Sequence, residues 1–166
     1  MPAQTITEVV QRLDAIIDAA IVKKSRAGYF AALYRKVTIE VKEALEAGKF
    51  DGKERMEKLD VIFANRYLDA YDAYGEGKPV SASWQVALDA SKSRRPIVLQ
   101  HLLLGMNAHI NLDLGIAAGQ TTAADQLPGL RNDFNRINAI LASLVAGVKE
   151  ELGQIWPPFP NPAIEN

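Results

Sequence analysis

The chain has 166 residues, a formal net charge of -1 and 48% hydrophobic residues, enough apolar material for the core of one ordinary domain and too little charge of either sign to draw in nucleic acid or an anionic membrane surface. It has no cysteine, which excludes disulfides, thiolate nucleophiles and cysteine-ligated zinc or iron–sulfur sites. The first ten residues lack a basic stretch followed by an apolar run, so the expectation is a cytoplasmic protein.

The helical period runs through the chain. Ile6, Val9, Val10, Leu13, Ile16, Ile17, Ala20 and Ile21 form one i, i+3, i+4 stripe, with Thr5 or Thr7 as its N-cap. A second helix follows Gly28, carries Phe30, Leu33, Tyr34, Val37, Val41 and Leu45 inward, and ends at Gly48. Asp51-Gly52-Lys53-Glu54 has the spacing of a capping box and opens a third helix with the stripe Met56, Leu59, Phe63, Tyr67, Ala70 and Tyr74. Gly75, Gly77 and Pro79 stop it. Ser81 or Ser83 caps a short helix holding Trp84, Val86 and Leu88, with Trp84 as a packing anchor. The short basic cluster Lys92, Arg94 and Arg95 reads as a solvated helix end.

Pro96 suits the first turn of a helix that runs to about Ala118 and breaks at Gly119. A last helix begins around Asp125 to Pro128 and buries Leu130, Phe134, Ile137, Leu141, Leu144, Val145, Val148 and Leu152. The proline-rich end from Trp156 to Pro162 reads as an extended arm lying on its own subunit or on a neighbour, a route to a homo-oligomer. The expected architecture is all-α: a helical bundle over residues 1–155 of five long helices and a short one, with one helix buried at the centre, and a tail over 156–166.

The helix after Pro96 is the central one in this reading, because Ile97, Leu99, Leu102, Leu104, Met106, Ile110, Leu112 and Leu114 surround it with apolar groups. It nonetheless holds His101, Asn107, His109, Asn111 and Asp113, whose burial requires partners. These same groups argue against a membrane span. His101 and His109 lie about 12 Å apart along the axis and cannot share one metal ion. His109 and Asp113, at i and i+4, meet; they suit one divalent metal ion, or a carboxylate orienting an imidazole for acid–base work. Asn107 and Asn111 form a second i, i+4 pair, and Gly105 leaves a notch that admits a ligand or another helix.

On the third helix Asp60 and Arg66 share the apolar stripe, so Arg66 either pairs with Asp60 or Asp113 or clamps an anion. Tyr34 and Thr38 are i, i+4 neighbours on the inner face of the second helix. The expected site therefore takes His109, Asp113 and His101 as catalytic candidates, with Asn107, Asn111, Arg66, Gly105 and Tyr34 as substrate-binding candidates.

Tyr34-Arg35-Lys36-Val37-Thr38, Phe63-Ala64-Asn65-Arg66-Tyr67-Leu68, Trp84 and above all the run from His101 to Leu114 resemble the DUF5995 proteins, an uncharacterised bacterial family. This resemblance spans about Phe30 to Ala118 and implies no activity. His109-x-x-x-Asp113 also resembles the metal-binding helix of the zinc-dependent phospholipase C and P1 nuclease family, which is all-helical and implies His109 and Asp113 as metal ligands. Two histidines exclude that family's three-zinc site and leave a single metal ion completed by Asp60, a tyrosine or water.

The expected function is a small hydrolase-like enzyme with a polar pocket centred on His109 and Asp113. The alternatives are a small-molecule binding module without turnover, and a structural or interaction protein whose polar cluster only fixes the core. The chain has no Gly-x-Ser-x-Gly elbow, Walker loop or dinucleotide fingerprint.

Overall fold

The structure is a computed structural model describing residues 1–122 and 128–155, with side chains described through Ser143. The expected helix start near Asp125, the inward stripe from Leu144 to Leu152 and the extended arm from Trp156 lie outside what is described. Among the described residues there is no strand, and no helix is long and apolar enough to cross a membrane. The all-α bundle is as expected.

Helix α1 (Ile6–Lys23) starts where Thr5 accepts a hydrogen bond from the Glu8 backbone N–H, and its buried face is Ile6, Val9, Leu13, Ile16 and Ala20. Asn65 exchanges two 2.8 Å hydrogen bonds with the Ala3 backbone and ties the chain start to α3. Helix α2 (Ala27–Glu46) folds back along α1, and Gly28 allows the close approach: a Cβ there would lie 2.7 Å from that of Ala20. Gly48 (φ 68) and Gly77 (φ 72) take the left-handed turns that follow α2 and α3 (Lys53–Gly75).

Asp51 does not cap α3. The N-cap is Gly52, and the Asp51 carboxylate accepts instead from Arg136 and Asn132. The fully buried Asp133 carboxylate accepts from the backbone N–H of Asp51 (2.7 Å) and Gly52 (3.3 Å) and from Arg55 and Arg136 (3.0 Å each). Asp133 lies in the first turn of α7 (Arg131–Ile155), so this node pins the start of α7 to the start of α3.

Ser81 caps the short α4 (Ala82–Ser91) by accepting from the Trp84 N–H, while Val86, expected inside, is 56% exposed. Helix α5 (Val98–Ala108) begins two residues after Pro96, with Ile97 as N-cap and the Gln100 side chain accepting from the Ile97 N–H. It continues without a break through a π-helical turn (His109–Asp113) into α6 (Leu114–Thr121), which passes Gly119 without ending.

The continuous α5–π–α6 helix is not central. Leu99, Leu103, Asn107 and Asn111 are exposed, and Asn111 donates to Asn107 (2.7 Å) at the surface. Its apolar outer residues mislead a reading by composition, because an apolar side chain does not oblige burial. The central elements are α2, which packs against α1, α3, α5 and α7, and α3, which packs against α1, α2, α4, the π turn and α6.

The buried residues of the α5–π–α6 helix include a series at every fourth position, His101, Gly105, His109, Asp113 and Ala117, flanked by Leu102, Ala108 and Leu114. In a regular α-helix each such step drifts by about 40°. The wider π turn takes up that drift and holds His109 and Asp113 on one face.

Gly105 lets α5 seat on α2. A Cβ there would lie 2.5 Å from Cγ and 3.0 Å from Cβ of the buried Phe30. Gly105→Ala is therefore expected to cost about 2 kcal/mol in urea denaturation, overpacking outweighing the helix-propensity gain. Gly115, exposed with nothing within 4 Å of a Cβ, is the control: Gly115→Ala is expected to add up to about 1 kcal/mol.

Candidate functional site

His109 sits inside a cage of rings. Its imidazole stacks on Phe63 from α3 at 3.6 Å between centroids and 7° between planes. Tyr34 from α2 meets it edge-on at 4.4 Å, and Phe30, Trp84 and Tyr67 lie at 5.8, 6.0 and 6.2 Å. The side chain is 3% exposed.

One edge of the imidazole is committed: His109 Nδ1 lies 3.3 Å from Asp113 Oδ2. Asp113 is fully buried and accepts also from the Trp84 indole Nε1–H at 2.7 Å and from Arg66 Nε at 3.3 Å. With donors from indole and guanidinium already on the carboxylate, its role toward His109 is acceptor, and Nδ1 carries the proton. Nε2 is then a bare lone pair. It is buried and has no hydrogen-bond partner among the described residues. Burial holds the His109 pKa below its ordinary value, against the opposing pull of Asp113, so the ring is neutral at neutral pH.

Beside this edge is a cavity of about 40 Å³, walled by Phe30, Val37, Leu59, Phe63 and Ile137 and rimmed by the half-buried Leu33, Met106, Ile110 and Leu141. Three polar side chains also line it: His109, Tyr34 and Asp60. Each brings a buried atom with no partner among the described residues, namely His109 Nε2, Tyr34 Oη and Asp60 Oδ2. Thr38 donates to the Tyr34 carbonyl (2.9 Å). Burial raises the Tyr34 pKa well above its usual value, with the Asp60 and Asp113 charges adding to it. Burial, with Glu57 nearby, pushes Asp60 up to about 7. At neutral pH the cavity thus holds the phenol as a donor, the imidazole as an acceptor, and an acid about half protonated that is a second donor in its protonated form.

The other expected site residues are placed differently. Asn107 and Asn111 face outward on α5 and the π turn and do not line the cavity. Arg66 is 38% exposed at its side chain and pairs with Asp113 from the solvent side, so it is not an anion clamp within the cavity. The notch at Gly105 is filled by Phe30. His101 lies on the far side of Phe30, in a separate small hollow with Gly105. His109 and Asp113 are hydrogen-bonded to each other, and among the described residues no group of three or more His, Cys, Asp or Glu side chains is placed to hold a metal.

Sequence reasoning undervalued Asp60 and Trp84. Each carries a legible signal: an aspartate on an apolar helical stripe, and an indole N–H that needs an acceptor once buried.

No curated protein and no solved structure matches the chain. Residues 6–163 match DUF5995, a family of unknown function. That match covers nearly all of the sequence, and the chain belongs to the DUF5995 family.

Proposed function

We propose that the chain binds a small, mainly apolar, uncharged molecule in the cavity beside His109, reading one polar group of that molecule through His109 Nε2, Asp60 and Tyr34. The observation that carries this reading is the convergence of three unpartnered buried polar atoms on one apolar cavity. A buried polar atom left unpaired costs about 1–3 kcal/mol. A few convergent polar groups in an apolar pocket are the usual make-up of a ligand site.

The chemistry narrows the ligand. Among the described residues no cation lines the cavity, which disfavours carboxylates and phosphates. Two donors, one of them the acid in its protonated form, and one acceptor suit a hydroxyl, carbonyl or primary amide group. At about 40 Å³ the space holds a few waters. A larger molecule therefore enters by displacing the rim side chains of α2, α5 and α7.

A second reading, hydrolysis at the same place, rests on the Asp113–His109 arrangement. A water beside Nε2 would give up its proton there, and protonated Asp60 would donate to the leaving group. Among the described residues no serine lines the cavity, and water is the nucleophile in that scheme.

The test is a thermal-shift screen of neutral alcohols, phenols and amides against alkyl carboxylates and alkyl amines. Neutral compounds are expected to raise the Tm of the wild type and to lose at least half of that effect in Tyr34→Phe, a variant expected to be as stable as the wild type or up to about 1 kcal/mol more so. Stabilisation by charged compounds alone, or a Tyr34→Phe variant that binds equally well, contradicts the proposal. Turnover of a neutral ester or amide that disappears in His109→Gln favours the hydrolytic reading.

A further inference from the structure

The large apolar side chains most open to water gather at one end of the bundle. Val22 is 83% exposed beside Ile21 at the end of α1, Tyr29 stands in the first turn of α2, and Ile97, Val98, Leu99 and Leu103 open α5. Among the described residues the other large apolar side chains so exposed are Met1 and Val86. The two groups adjoin: the Tyr29 ring lies 5.8 Å from that of His101, and Arg26 at the start of α2 lines one small hollow with Ser91 and His101. A single exposed apolar side chain needs no explanation, but a group of them at one end marks an interaction surface.

The same end carries cations without counter-ions. Lys23, Lys24, Arg94 and Arg95 are exposed and Arg26 is half-buried, and none makes an ion pair among the described residues. Lys92 is held over the Tyr74 ring beside Asp89 and is not one of them. The sequence has no Asp or Glu between Asp18 and Glu40 or between Asp89 and Asp113, the two stretches that build this surface. The net charge of -1 averages over this separation, so it does not exclude an anionic surface as a partner for this end alone.

We infer that this end of the bundle docks on an anionic lipid surface, the aliphatic side chains entering the boundary between headgroups and acyl chains and the cations lying against the headgroup charges. The contact is peripheral, since no described helix is long and apolar enough to cross the bilayer. A second copy of the chain fits less well, because a symmetric pairing sets cation against cation. Nucleic acid fits less well too: among the described residues Tyr29 is the one ring on this surface to stack on a base, and the aliphatic side chains find no partner there. The surface shares no side chain with the cavity beside His109 and stands whether or not that cavity binds a ligand.

The test is co-sedimentation of the untagged full chain with vesicles of phosphatidylcholine alone and of equal parts phosphatidylcholine and phosphatidylserine. Binding is expected to the mixed vesicles, with little to phosphatidylcholine alone, and is expected to fall steeply as sodium chloride is raised. Arg94→Gln combined with Arg95→Gln is expected to weaken it about tenfold or more. Val22→Gln combined with Leu103→Gln is expected to weaken it several-fold. Val86→Gln, an exposed position that shares a helix face with Asp89, is the control and is expected to bind as the wild type does. All these positions are exposed, so each variant is expected to keep its Tm within a few degrees of the wild type. No sedimentation with the mixed vesicles, equal sedimentation with both kinds, or an equal loss in Val86→Gln overturns the assignment. So does a dimer that Val22→Gln with Leu103→Gln dissociates, which gives the surface to a second copy, or a DNA duplex bound as tightly as the mixed vesicles.

Discussion

Wild-type protein is expected to lose about 4 kcal/mol of stability relative to Asp60→Asn between pH 4 and pH 7. The cause is burial of the Asp60 carboxyl, whose Oδ2 has no hydrogen-bond partner among the described residues, with the Glu57 charge adding to it; together they push its pKa up to about 7 from a reference of 3.8. The unfolded chain releases this proton near pH 4, and the folded chain keeps it until about pH 7. Between those values the folded state binds more protons, so stability falls as pH rises. Each pH unit in the window is worth about 1.4 kcal/mol.

The histidines act in the opposite sense. Both His101 and His109 have lowered pKa values, so the folded state binds fewer protons than the unfolded state below the ordinary histidine pKa, and stability falls as pH drops there. Asp60→Asn leaves those contributions in place, and the difference between the two proteins isolates Asp60. Urea denaturation of both at a series of pH values is the measurement. A flat difference from pH 4 to pH 8 would show that Asp60 is solvated or paired in solution, and the cavity would lose its acid.

Asp113→Ala is expected to remove about 3 kcal/mol, a large share of the 5–15 kcal/mol that holds a domain of this kind together. The substitution strands the Trp84 indole N–H and the His109 Nδ1–H in the core, at about 1–3 kcal/mol each. Arg66 adds little, because its half-exposed guanidinium turns to water. Asp113→Asn keeps one acceptor oxygen and is expected to cost about half as much. Urea denaturation checks both. A loss in Asp113→Ala below about 1 kcal/mol would mean that the carboxylate does not hold the imidazole, and Nε2 would have no fixed direction.

The inward stripes of α1, α2 and α3 were legible, apart from Ile21, which is 70% exposed, and the two caps were narrowed to Thr5 or Thr7 and Ser81 or Ser83, because capping and the 3.6-residue period are local properties. The His109–Asp113 contact was legible for the same reason, as an i, i+4 pair, whereas an arginine on an apolar stripe left Arg66 to Asp60, Asp113 or an anion, of which the structure has Asp113.

The tertiary placement of α5 was not legible. Its sequence is apolar on every side, and only the packing of α2 and α3 decides that Leu99, Leu103, Asn107 and Asn111 face outward. The π turn has no compositional mark. Its sole trace is the four-residue recurrence from His101 to Ala117, which a straight α-helix cannot keep on one face. Asp133 as the anchor for the start of α3 was beyond local reading as well, because it lies about eighty positions from the N–H groups it satisfies.

The most direct measurement is nitrogen-detected NMR of the His109 imidazole in untagged protein, free and with the best neutral compound from the thermal-shift screen. The free protein is expected to show the proton on Nδ1 and a bare Nε2, and the compound is expected to move the Nε2 resonance toward that of a hydrogen-bonded acceptor while leaving Nδ1 unchanged. A proton found on Nε2 in the free protein, or a compound that raises the Tm while His109 stays still, would contradict a ligand site built around that lone pair.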